Sequence, residues 1–381
     1  MEISQNFDGG NISVIECERP SNIQLEIRKD QNSNFYQWFY FRLCGAKARN
    51  CRLSIVNANS AAYPEGFRNY RILYSYDRKE WLRHDTKLEG STLRIEITPT
   101  RDSIYFAYFI PYSMERHYDL IAGALNYLHC SSELLGKTLD GQDLDLLSFS
   151  MGDKTTKQNC WIIARQHPGE TMAEWFMEGF IEKLLDMDDL LTKKILSNCN
   201  MYLIPNMNPD GSRRGHLRTN AAGRNLNREW ETPSIQFSPE VFFVKEKMNK
   251  TGVNFMLDVH GDETLPYCFI AGTEGLKNWN ARKQSELDFF KNRLAEVNPD
   301  FQTENGYPAK QPGQANMAMS TTQIASMHDC LAMTLEMPFK DTTATPDKKY
   351  GWSAQRSKTL SHSCLQVMEE FISKKISGID V

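Results

Sequence analysis

The chain lacks a basic excess, a long apolar run and any CxxC pair. Each absence excludes something. Lysine and arginine number 44 against 48 aspartates and glutamates, a formal net charge of −4. A general nucleic-acid binder needs basic excess to neutralise phosphates, so no nucleic-acid partner is expected. No segment approaches the roughly 18 consecutive apolar residues that cross a bilayer, so no membrane partner is expected. The opening residues, MEISQNFDGGN, have neither a basic start nor an apolar stretch, so no signal peptide is expected. No internal repeat is visible. The nine cysteines are an odd count in a chain too long to be a disulfide scaffold. They read as reduced thiols in a reducing compartment, the cytoplasm. Apolar material is plentiful: 40% of the 381 residues are hydrophobic and 11% aromatic. That composition buries large cores, and the length suits two to three domains.

Two halves read differently. Residues 1–110 hold short alternating or aromatic-rich runs separated by polar breaks: Asn11–Cys17, Ile23–Arg28, Tyr36–Leu43, Cys51–Val56, Tyr70–Ser75, Thr92–Ile97 and Ile104–Ile110. Short strands with frequent turn signals predict an all-β sandwich domain. From residue 111 to 381, helical patterns alternate with short apolar runs at Cys160–Ala164, Met201–Pro205, Asn254–His260 and Cys330–Leu335. Such runs suit strands buried on both faces. Met172, Phe176, Phe180 and Leu184 mark one helix. Ser238-Pro239 opens a second, which Gly252 closes. Leu287, Phe290 and Leu294 mark a third, and Leu360, Cys364, Val367 and Phe371 a last one. The expected class is α/β, with a mixed, mostly parallel sheet flanked by helices, preceded by the sandwich. Residues 302–322 read as a long irregular stretch, a length usually kept for function.

Sheets of this class place their sites at the carboxyl ends of strands. Each predicted strand exit carries a polar group. RQHPGE follows the first run, with His167 and Glu170 three apart. NMNPDG follows the second, then Arg218 and the run RNLNREW. The third runs into DVHGDE with His260, and the fourth ends at Glu336. His167, Glu170 and His260 make a two-histidine, one-carboxylate set of the kind that suits catalytic zinc. Glu336, costly to bury unpaired, is then the natural general base. Arg218, Asn227 and Arg228 supply donors for a substrate carboxylate. Arg213, Arg214 and Arg224 read as surface loop arginines.

HPGE, NPDG, the NxNRxW run, DVHG and the strand ending at Glu336 together resemble the zinc carboxypeptidases of the carboxypeptidase A superfamily. The segment FIPYSMERHYDL (Phe109–Leu120), the β-rich first half and the short gap between Glu170 and His260 resemble the cytosolic carboxypeptidase branch. The resemblance implies a metalloprotease, a hydrolase acting on a peptide or protein C-terminus. It implies zinc on His167, Glu170 and His260, and Glu336 as the base that activates water. Arg218 would hold the developing oxyanion, and Asn227 with Arg228 would bind the terminal carboxylate. Three departures stand out. Asn225 replaces the aspartate usual in the branch, so it would orient a ligand histidine more weakly. Glu229 fills a slot that varies in the family. Tyr307 lies somewhat early for the superfamily's mobile tyrosine. Asp258, two residues before His260, shares its strand face and is a candidate to orient that ring.

Members of the branch often remove acidic residues. No arginine or lysine lies between Gln311 and Glu336, where His328 is the one potential cation, so a basic residue such as Lys310 would have to come from elsewhere. A zinc deacylase of N-acyl amino acids, aspartoacylase-like, would share HxxE, a later histidine and an Asn-Arg pair. The β-rich half and FIPYSMERHYDL favour the peptidase. A non-catalytic binding protein is disfavoured because all ligand and base positions are filled. Nothing in the sequence fixes an oligomeric state.

Overall fold

Nine strands occupy the first part of the computed structural model, which describes residues 1–378. They are β1 (Glu2–Ser4), β2 (Ser13–Arg19), β3 (Asn22–Glu26), β4 (Tyr40–Cys44), β5 (Cys51–Ile55), β6 (Arg71–Ser75), β7 (Leu82–Glu89), β8 (Thr92–Ile97) and β9 (Ser103–Ala107). They form one continuous sheet in the order β1-β4-β9-β6-β7-β8-β5-β3-β2. Strand β7 turns the corner: Leu82–Asp85 pairs with β6, and Thr86–Glu89 pairs with β8. Just before β2, Asn11 bridges Tyr40 of β4, at 2.9 and 3.1 Å for the two backbone bonds. The two ends of the sheet are thereby drawn together, and the expected sandwich is a curled, barrel-like sheet. Hairpin alternation looks alike in both arrangements, so the pattern alone does not separate them. The run Tyr36–Leu43 becomes strand only from Tyr40, yet Trp38, Phe39, Tyr40, Phe41 and Leu43 are all buried.

The second part runs α1 (Met114–Ala124), β10 (Cys130–Lys137), β11 (Asp143–Phe149), β12 (Gln158–Ala164), α2 (Thr171–Leu185), α3 (Leu190–Asn198), β13 (Cys199–Ile204) and α4 (Pro209–Arg214). It continues with α5 (Pro239–Thr251), β14 (Phe255–Asp262), β15 (Phe269–Ala271), α6 (Ala281–Val297), α7 (Ser320–His328), β16 (Leu331–Pro338) and α8 (Ala354–Ile376). The seven strands are ordered β10-β11-β13-β12-β14-β16-β15. The central strands β13, β12, β14 and β16 are parallel, and the flanking pairings are antiparallel. The sheet is therefore mixed, with a parallel centre of four strands and antiparallel edges. The hairpin β10–β11 escapes the sequence pattern because β10 is largely exposed and polar.

Side chains alternate between two apolar layers, as strand geometry requires. Ile162, Leu257 and Met333 face α2, α6 and α8, while Trp161, Ile163, Met256 and Ala332 face α5 and α7. The four helices read from periodicity are present. Ser238 stands at the start of α5, but its hydroxyl bonds Glu229 instead of capping the helix. The irregular stretch expected to Thr322 ends at Met319, where α7 begins.

The two parts share one core. The Phe339 ring stacks on Tyr108 at 4.7 Å. Arg83 of β7 is buried and donates to the carbonyls of Phe339 (2.8 Å), Trp352 (3.3 Å), Tyr350 (3.2 Å) and Arg71 (2.9 Å). Burial pushes its pKa down to about 10. Removing it strands buried acceptors, so Arg83→Leu is expected to cost about 3 kcal/mol, read from the urea midpoint. Glu240, buried in the first turn of α5, is pushed up to about 8 by burial. A carboxyl whose pKa is raised on folding contributes stability below its unfolded pKa and loses it as pH rises through the folded value. The wild type should therefore lose melting temperature from pH 6 to 9 more steeply than Glu240→Gln.

Candidate active site

The polar strand exits converge on one cleft of about 870 Å³. His167 lies just beyond β12, in a loop that begins with Arg165 in the left-handed region (φ 58°). Such a conformation is costly for a non-glycine residue. It is held by Arg165 donating to the Pro168 carbonyl at 3.0 Å and to the Tyr112 carbonyl at 3.1 Å. The same guanidinium pairs with buried Glu174, which also bonds His117 at 2.7 Å. Glu170 stands at the N-cap position of α2, but its carboxylate does not cap. Oε1 lies 2.6 Å from His167 Nδ1, and Oε2 lies 2.8 Å from His260 Nδ1. The two Nδ1 atoms are 3.2 Å apart.

The outer ring nitrogens decide whether this trio fits a metal. His167 Nε2 faces Asn225 Oδ1 at 3.0 Å, and His260 Nε2 faces Asp258 Oδ2 at 3.0 Å. Both partners accept, so each Nε2 donates outward, which leaves each Nδ1 the atom that would turn a lone pair to a bound metal. Two Nδ1 atoms and a carboxylate facing one point make the donor set of a catalytic zinc site. All three side chains are buried, with ligand atoms within 4.8 Å of one another. Burial, followed by the nearby Arg218 cation, pushes His167 down to about 4, so it is neutral and ready to ligate. Burial disfavours the Glu170 carboxylate, but the two imidazoles outweigh it and hold its pKa below the ordinary range. Asn225 does orient His167, despite the weaker acceptor expected of an amide. Asp258 is itself supported by Gln166 at 2.6 Å and by the Ser320 hydroxyl.

Glu336 lies directly across from His260, in register on the adjacent parallel strand. Its Oε1 accepts from Tyr307 Oη at 3.3 Å, while Oε2 is buried without a hydrogen-bond partner. Burial pushes its pKa well up. The charges of Glu170, Asp262 and Glu263 add to that, and His260 opposes it. Tyr307 Oη donates more strongly to Asp262 Oδ2, at 2.6 Å.

Arg218 lines the cleft with its guanidinium over the rings of Phe35 (5.6 Å) and Tyr63 (5.4 Å). Arg228 is exposed on the cleft wall and donates to its neighbour's carbonyl, Asn227 O, at 2.6 Å. Asn227 Oδ1 is engaged, accepting from Ser320 N at 2.9 Å, while its Nδ2 lies 3.4 Å from His260 Nε2. Arg213 and Arg224 are surface residues, and Arg214 pairs with Asp140 at 2.6 Å. Sequence reasoning missed Tyr63, Asp262, Glu263 and Lys291 of the cleft. The period of two from His260 points to Asp262. Tyr63 carries no local signal.

Residues 128–369 match the zinc carboxypeptidase family, and residues 3–109 match the cytosolic carboxypeptidase N-terminal domain. The chain belongs to the zinc carboxypeptidase family. It is a metallocarboxypeptidase with that family's fold preceded by an N-terminal domain. A metallo-carboxypeptidase from Burkholderia cenocepacia is 42% identical, with a TM-score of 0.96 over 98% of this chain and 99% of that one. One from Pseudomonas aeruginosa, solved with (2-guanidinoethylmercapto)succinic acid, is 41% identical, with a TM-score of 0.96 over 98% and 100%. Cytosolic carboxypeptidase 6 of Caenorhabditis elegans is 27% identical over 88% of this chain and 78% of its own length. No helix among the described residues is long and apolar enough to cross a membrane.

The outer hydrogen bonds generate a test. Asp258→Asn should weaken zinc affinity by about 10- to 100-fold in a chelator competition, with the melting temperature of the loaded protein little changed.

Proposed function

We propose that this metallocarboxypeptidase holds zinc on His167, Glu170 and His260 and removes residues one at a time from the C-terminus of peptides or proteins. The observation that carries the reading is Glu336 Oε2, buried, unpartnered and directly across the sheet from a ligand histidine. An acceptor left unsatisfied in such a place has a role to fill. When bound, zinc supplies Lewis acidity that polarises a carbonyl and acidifies a water. Glu336 takes the proton from the attacking water at Oε2 and delivers it to the leaving amine. Arg218, whose guanidinium has no acceptor of its own among the described residues, faces the oxyanion that develops on the carbonyl oxygen. Arg228 grips the substrate's terminal carboxylate, and Asn227 braces that wall through Ser320 and adds its amide.

The reading extends to acidic terminal residues. Lys291 and Lys310 line the same cleft and bring cations that the segment 311–336 lacks. Thr321, Thr322 and Thr334 supply further polar lining. The division into 1–110 and 111–381, and a cytoplasmic location, belong to the same proposal. All nine thiols are unpaired, as a reducing compartment keeps them.

Glu336→Gln should lower kcat by at least about 10²-fold while zinc content stays at the wild-type level. Normal turnover in that variant would remove the base. Arg228→Ala should raise KM by about 10- to 100-fold on peptides with a free carboxylate. A panel differing only in the last residue, with N-acyl amino acids as the competing substrates, reads the preference. Acidic ends should lead it.

A further inference from the structure

The β-rich part lines the cleft at Tyr63 and meets the loop behind it through one tight turn, residues 30–35. Asp30 N donates to Phe35 O at 2.8 Å, and Asn32 takes a left-handed φ of 60°. This turn is stitched to the loop that carries Arg218. Gln31 N donates to His216 Nε2 at 3.1 Å, and Asn32 Nδ2 donates to the Ala221 carbonyl at 3.3 Å. Gly223 sits at φ 78°, where an added Cβ would lie 2.3 Å from the Asn32 carbonyl oxygen. Only glycine permits that approach.

Asp30 is the centre of the junction and is 2% exposed. Its Oδ1 accepts from Leu217 N at 2.6 Å. Its Oδ2 accepts from Arg218 N at 2.8 Å, Thr219 N at 2.9 Å and Thr219 Oγ1 at 3.0 Å. Both carboxylate oxygens are thus committed to the backbone on either side of Arg218. Charge-assisted bonds of this kind are about twice as strong as neutral ones. The Arg218 side chain is steered separately, by the rings of Phe35 and Tyr63. All three residues precede the first residue of the zinc carboxypeptidase match.

We infer that Asp30 is a positioning residue: it fixes the 217–219 backbone, and with Phe35 and Tyr63 it aims the Arg218 guanidinium at the reacting carbonyl. The inference rests on the reading of Arg218 as the group that faces the oxyanion. It gives the β-rich part an active-site duty without any reactive group of its own. Displacement of a catalytic group by about 1 Å can cost on the order of 10²-fold in rate, so a clamp of this rigidity has a kinetic consequence.

A double-mutant cycle on the full-length, zinc-loaded enzyme tests it. Asp30→Asn keeps the shape but sets an amide against a ring of donors. Its kcat on a blocked dipeptide with a free carboxylate should fall about 10-fold or more, with KM and zinc content within about twofold of wild type. Arg218→Ala should fall about 10²-fold, and adding Asp30→Asn to it should lower kcat no further. The proposal is overturned if Asp30→Asn keeps wild-type kcat, or if it costs the same factor with and without Arg218. Should Asp30→Asn lose its zinc or its cooperative melt, Phe35→Leu breaks no hydrogen bond and runs the same cycle with the same two outcomes. Full activity in Arg218→Ala would overturn the reading of Arg218 itself, and the clamp with it.

Discussion

A carboxylate buried between two imidazoles is the constraint around which the catalytic half is arranged. Glu170 is 2% exposed. Leaving such a charge unpaired in the interior would cost several kcal/mol, so its neighbours have to meet it. Two elements do so from different directions, the exit of β12 with His167 and the end of β14 with His260 and the Gly261 N–H. The outward nitrogens of the rings are then held by Asn225 and Asp258, and Asp258 by Gln166 and Ser320. The left-handed turn at Arg165 belongs to the same arrangement, because it swings His167 back over the sheet. Its conformational cost is met by the buried pairing with Glu174.

Much of this was legible because His167, His260 and Glu336 sit where apolar runs stop. A parallel strand buried on both faces leaves few polar positions, and those at its carboxyl end stand out. His260 and Glu336 were readable one at a time, and their register supplies what the sequence does not contain, namely that they face each other. Helices α2, α5, α6 and α8 announced themselves by period and punctuation. The hairpin β10–β11 did not, since a mostly solvated strand carries no apolar alternation. The curl of the first sheet was hidden because β7 serves two neighbours along one length, and pattern reports faces, not partners. Asp30 lay furthest out of reach. Its bonds join residues 187 positions apart, and a lone aspartate in a polar turn looks like any other.

The β-rich part is coupled to the catalytic half at two levels. Tyr108 and Arg83 join it mechanically, through ring stacking on Phe339 and bonds to the carbonyls around residues 339–352. Tyr63 and the turn at residues 30–35 join it chemically, because they border the cleft or hold what borders it. Independent motion of the two parts would disrupt both a shared apolar core and the setting of Arg218.

Tyr63 on the rim has a consequence for what can be cut. His167, Glu170 and His260 line the cleft at the ends of the central strands, and Tyr63 of the β-rich part lines it with them. On the proposed reading, a substrate tail that brings its last carboxylate to Arg228 enters a cleft that Tyr63 also lines. What the cleft admits is thereby set jointly by the two parts of the chain, because a residue from before the catalytic half stands among the groups that line it.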